Sequence, residues 1–205
     1  MDLSDLQGRL DVLENRYQEW AAPLNRAIQD RAYRINRGGY TGDDFHRDLL
    51  RLDVEHKAEY DPYPEFYALF DELCPAYLEA GTGERAAIRA LIGERKGTVH
   101  AMLGYVNKAS NQLRATGDTT WLRLGLAGAS IENSRRDYRD LLLSLAELYV
   151  AAEERGLDPA AEFARVAELS DTEKPAGGPT AVSEMLARFH RSAVLEERQR
   201  HGARL

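Results

Sequence analysis

The chain has 205 residues, 43% of them hydrophobic and 30% charged, with a formal net charge of -7. That balance belongs to a globular protein rather than a disordered one. The acidic charge speaks against nucleic acid and against anionic membranes as main partners, since both call for a basic surface. A single cysteine, Cys74, excludes a disulfide framework within one chain. It lies in Leu73-Cys74-Pro75 and reads as a small core residue. The first residues, Met1-Asp2-Leu3-Ser4-Asp5, are acidic and lack an apolar signal core, and no run is long and apolar enough for a membrane span. The expectation is a cytoplasmic protein with no membrane contact.

In chain order, Leu3, Leu6, Leu10, Leu13, Tyr17, Trp20, Leu24 and Ala27 recur at steps of three and four. That is a heptad seam, and it defines an N-terminal helical segment over 1–37. Pro23 interrupts the seam and is expected to kink the helix or to start a second one. The seam must bury against something: this chain's own bundle, a second copy in a homodimer through this helix, or a partner protein. Leu10, Leu13, Tyr17 and Trp20 are its candidate interface residues, because aromatic residues are favoured at interfaces.

Gly38-Gly39-Tyr40-Thr41-Gly42 breaks the pattern, and Thr41 or Asp43 is placed to cap a helix over about 43–58. That helix carries Asp53-Val54-Glu55-His56, half of a carboxylate-bridged di-iron pattern with no second half elsewhere. His56 reads there as part of a solvated face. A helix over 65–78 follows Asp61-Pro62-Tyr63-Pro64, and 84–115 reads as two helices divided between Gly93 and Gly97. At that division Glu94-Arg95-Lys96-Gly97, with His100, is a polar cluster that reads as an exposed turn, with phosphate binding as the sharper alternative.

Trp121 to Ile131 is apolar on nearly every side, as in a helix buried all round. Gly125 and Gly128 within it allow a neighbouring helix to approach closely. Arg123 is the anomaly: a guanidinium in an apolar helix must be paired or must reach solvent. The elbow that follows, residues 132–140, offers Glu132, Asp137 and Asp140 as its partners. Next, 137–155 is amphipathic, with one apolar stripe and a second, mostly acidic one through Asp140, Glu147 and Glu154. Gly156 and Asp158-Pro159 stop it and cap a helix that buries Phe163, Val166 and Leu169. Residues 41–171 thus form a helical core, 172–179 a linker rich in Pro and Gly, and 180–205 a C-terminal helix with a basic tail. No strand-like alternation is found. The expectation is an all-α fold of about seven to nine helices, in an antiparallel bundle or a short HEAT-like stack.

Two resemblances bear on function. Trp121-Leu122-Arg123-Leu124-Gly125-Leu126-Ala127, Asp137-Tyr138-Arg139-Asp140 and Gly156-Leu157-Asp158-Pro159 resemble segments of uncharacterised bacterial helical proteins, some of them HEAT-like. The likeness spans the middle third to half of the chain and implies no activity. Asp137-x-x-Asp140 ahead of Leu141-Leu142-Leu143, then Gly156-Leu157-Asp158, is similar to the second half of the metal motif of MazG-type nucleotide pyrophosphohydrolases. That resemblance implies Glu132, Asp137, Asp140 and Glu147 as magnesium ligands and catalysts. The paired Glu-x-x-Glu that such enzymes carry on an earlier helix is absent here. Arg135, Arg136 and Arg139 would also neutralise the carboxylates. The leading expectation is therefore a non-enzymatic protein-protein interaction or regulatory module without metal or cofactor, with Arg123, Glu132, Arg135, Asp137, Arg139 and Asp140 as its second candidate binding cluster. The alternative is the metal-dependent phosphohydrolase.

Overall fold

A computed structural model describes residues 2–132, 138–159, 161–162 and 199. Among these the chain is all-helical, with seven helices and no strand: α1 (Leu3–Arg37), α2 (Gly42–Glu59), α3 (Tyr63–Glu79), α4 (Thr82–Gly93), α5 (Lys96–Thr116), α6 (Thr119–Glu132) and α7 (Tyr138–Glu154). The segment carrying Phe163, Val166 and Leu169, the linker at 172–179 and, but for residue 199, the C-terminal helix and tail lie outside the described residues.

The ends of the helices follow from local chemistry. At α2 the Thr41 backbone N–H and hydroxyl donate to the Asp44 carboxylate, and the Asp44 N–H donates back to Thr41 Oγ1 at 3.1 Å. This is a full capping box. At α6 the Thr120 N–H donates to Asp118 Oδ1 at 2.9 Å. Gly117 ends α5 in the left-handed region (φ 69°), where its N–H reaches the Leu113 carbonyl.

Helix α6 is the axis of the core. Ten of its fourteen residues are buried, although Trp121 is only partly so. With α5 it divides the interior into two clusters. On one side Leu122, Leu126 and Ala129 meet Val106, Ala109 and Leu113 of α5 and Leu141, Leu145 and Leu148 of α7. On the other, Leu124, Ala127 and Ile131 meet Tyr105 and Met102 of α5, Ile88 and Ile92 of α4, and the faces of α3 and α1. The expected close approach at the α6 glycines is present: Gly125 faces Leu148 and Ala109, and Gly128 faces Tyr105 and Met102.

Pro23 does not start a second helix, because α1 runs through it for 35 residues. A proline removes one helical N–H and crowds the preceding turn. In that turn the Trp20 carbonyl accepts a hydrogen bond from the His56 ring, and the two rings stack with centroids 4.8 Å apart. His56 is thus half-buried against Trp20 rather than on a solvated face, and it ties α2 to α1. Beyond this tie the second half of α1 and α2 form a helical hairpin. None of the α2 residues is buried, and Leu50 and Val54 are 56% and 69% exposed.

Candidate interaction surface

The heptad seam turns inward. Leu6, Leu10 and Leu13 pack into the cluster that holds Phe66, Leu69, Phe70 and Leu73 of α3, while Trp20 is buried against the rings of Tyr17, His56 and Tyr63. Tyr17 is part-buried, meeting Phe66 edge-on at 6.3 Å. Its burial, above all, pushes the phenol up to about 12. The candidate interface residues Leu10, Leu13, Tyr17 and Trp20 are therefore used by this chain's own core. The physical reason is that α3 presents a matching apolar face to this part of the seam.

The next face of α1 is open. Ser4, Asp5, Gly8, Arg9 and Val12 line one wall of a groove of about 650 Å³, and Glu65 and Ala68 of α3 line the other. Leu13 and Leu69 are buried at its base, while Val12 is 52% exposed. Two ion pairs cross between the helices: Arg9 Nη1 to Glu72 Oε2 at 3.0 Å, and Arg16 Nη1 to Glu65 Oε2 at 2.6 Å. The hydrogen bond to Glu72 raises the Arg9 guanidinium above its ordinary value, and the charge of Glu65 does the same for Arg16. The groove is thus an apolar window between two charged rungs.

Among the described residues Arg123 pairs outside the elbow. The Arg123 guanidinium forms a two-point pair with Glu162, Nε to Oε2 at 2.9 Å and Nη2 to Oε1 at 3.0 Å. Glu162 is an acid the periodicity did not nominate. The Arg123 side chain is 41% exposed, so the cation sits at the rim of the core rather than inside it. Glu132 is buried at the end of α6, and Asp140 is exposed in the first turn of α7. Glu147 accepts from Arg114 at 3.0 Å, and Glu154 accepts from the same guanidinium at 2.8 Å. These bonds, led by that to Glu154, raise the Arg114 pKa. The acidic stripe of α7 is thereby turned onto α5, and buried Ser144 and Ala151 share it. Arg135 and Asp137 lie outside the described residues, and Arg139 is described in its backbone alone. Among the described residues no three His, Cys, Asp or Glu side chains form a group able to hold a metal.

The polar cluster between α4 and α5 also has internal partners. Both Glu14 oxygens accept from the Gly97 N–H, at 3.1 and 3.2 Å, at the N-terminal end of α5. Arg95 is buried and donates to Asp11 and to the Leu91 carbonyl. An internal carboxylate therefore holds the amide that the phosphate reading required.

Sequence reasoning passed over two features, one buried and one at the surface. Arg85 is 7% exposed; its Nε donates to the Tyr77 carbonyl and its guanidinium lies over the Tyr77 ring. Tyr77 Oη in turn lies 3.2 Å from Ser130 Oγ. The Lys108 ammonium pairs with Asp71 at 2.8 Å and faces the rings of Tyr67, Tyr105 and Trp121. No family model, curated protein or solved structure matches the chain, and no helix among the described residues is long and apolar enough to cross a membrane.

Proposed function

We propose that this chain is a non-enzymatic helical interaction module that receives a protein partner along the outward face of α1 and the groove between α1 and α3. The observation that carries this reading is the groove itself: buried leucines at its base, a half-exposed valine at its lip and an ion pair toward each end. Interfaces concentrate their energy in such arrangements, where an apolar anchor enters a pocket and a polar rim excludes water. Of the carboxylates nominated for catalysis, Glu147 supports the same reading, because Arg114 holds it together with Glu154.

The test is a photo-crosslinking side chain placed at Val12 in cells, compared with the same group at Asn111, an exposed position on α5. The module reading expects a discrete protein adduct from Val12 that Asn111 does not give. Identical adducts from both positions, or none from Val12, would remove the groove as a docking surface.

A further inference from the structure

We propose that the occupant of this groove is a second copy of the chain, with the two α1 helices packed antiparallel about a two-fold axis. This rests on the module reading and names its partner. Asp5, Gly8, Val12 and Arg16 are spaced by three and four residues, so they form one stripe along α1. Asp5, Gly8 and Val12 line the groove, Arg16 pairs with Glu65 on its other wall, and the stripe lies away from the buried seam.

The charges on this stripe are complementary when the helix is reversed. A two-fold axis crossing α1 between Leu10 and Asp11 sets Asp5 of each copy opposite Arg16 of the other. The contact is isologous and closes as a dimer, with each attraction formed twice. Both groups keep capacity for it. The Asp5 side chain is 64% exposed, and its Arg9 contact is a long one at 3.9 Å. The Arg16 side chain is 54% exposed, and its pair with Glu65 runs through Nη1. The same register carries each Val12 over the partner's helix beside Gly8. A Cβ at Gly8 would meet nothing within 4 Å, so the backbone there is open to a knob from outside. The buried seam could not be used this way without opening the core.

The test is the solution mass of the full chain by light scattering across a concentration series, with far-UV circular dichroism as the check on folding. The parent is expected to dimerise. Asp5→Arg and Arg16→Asp each place like charges opposite one another and should weaken dimerisation about tenfold or more. The double variant exchanges the two charges and should restore the dimer. Val12→Asp should be a folded monomer, and it keeps the test decisive if Arg16→Asp loses stability through its Glu65 pair. A parent that stays monomeric overturns the proposal. So do single variants that dimerise like the parent, or a double variant that is not restored. A monomeric parent that still gives a Val12 adduct to another protein overturns self-pairing and leaves the module reading standing. A monomeric parent with no adduct removes both.

Discussion

A methyl group added at Gly125 should destabilise the protein, while the same change at Gly8 should stabilise it. A Cβ on Gly125 would lie 2.6 Å from Leu148 Cδ2 and 3.1 Å from Ala109 Cβ. The leucine tip can rotate, but the alanine methyl is fixed to the α5 backbone, and both residues are fully buried. Overpacking of this kind costs about 1–3 kcal/mol. Against it stands the helix preference for alanine over glycine, about 1 kcal/mol. Gly125→Ala should therefore lose roughly 1 kcal/mol net. At Gly8 no atom lies within 4 Å of the added carbon, so the preference acts alone and Gly8→Ala should gain up to about 1 kcal/mol. The two variants should differ by about 2 kcal/mol in urea unfolding of the monomer, at unchanged slope. Equal stabilisation by both would refute the account of α6 as a helix wedged between α5 and α7.

Other outcomes follow from the side chains. Arg123→Ala should cost only about 0.2–1 kcal/mol, because the Glu162 pair is partly exposed and screened. A double-mutant cycle with Glu162→Gln that gave a coupling near 3 kcal/mol would show a buried pair instead. Cys74 is fully buried, and its thiol is pushed up to about 12 by that burial. A thiol reagent at pH 8 should therefore label it at the rate of unfolding, and fast labelling of native protein would contradict its place in the core. The bonds from the Thr41 side chain, above all, hold the Asp44 carboxyl below its ordinary value. The capping box thus stabilises α2 above the ordinary carboxylate pKa, and the contribution is lost as pH falls through the depressed one. Amide exchange in α2 should accelerate on acidification toward that range, and Asp44→Asn should flatten this dependence. Unchanged dependence in Asp44→Asn would show that the box does not hold α2.

The class of fold was legible because it depends on periodicity and on helix stops. The apolar run of α6, the division near Gly93–Gly97 and the cap at Thr41 all stand in the sequence as chemistry. What the seam on α1 packs against was not legible. A heptad pattern states that a stripe will be buried and is silent on which surface buries it, and here α3 does so in cis. Pro23 was expected to kink the helix or to start a second one; α1 continues through it, and the nearby contact of the His56 ring with the Trp20 carbonyl comes from another helix, which local sequence omits. Arg123 was grouped with Glu132, Asp137 and Asp140 by proximity along the chain, whereas Glu162 holds it; the stripe acids Glu147 and Glu154 meet Arg114 of α5, which local sequence does not place beside them. The groove could be found only once α1 and α3 lay side by side. Its one sequence signal is the stripe Asp5, Gly8, Val12 and Arg16, offset from the seam.

The account turns on which face of α1 is inside. Leu10 has no exposed surface, while Val12, two residues on, is 52% exposed. Thermal unfolding of Leu10→Asp and Val12→Asp, followed by circular dichroism, separates the two faces. Aspartate at Leu10 removes a fully buried side chain and sets a charge in the core, a loss of several kcal/mol that should abolish the cooperative transition. Aspartate at Val12 should leave the fold and its melting within a degree or two of the parent when both are dilute enough to be monomers, since surface changes lie within about 0.5 kcal/mol. A folded Leu10→Asp, or an unfolded Val12→Asp, would place the seam outside and contradict the assignment of the groove face as the docking surface.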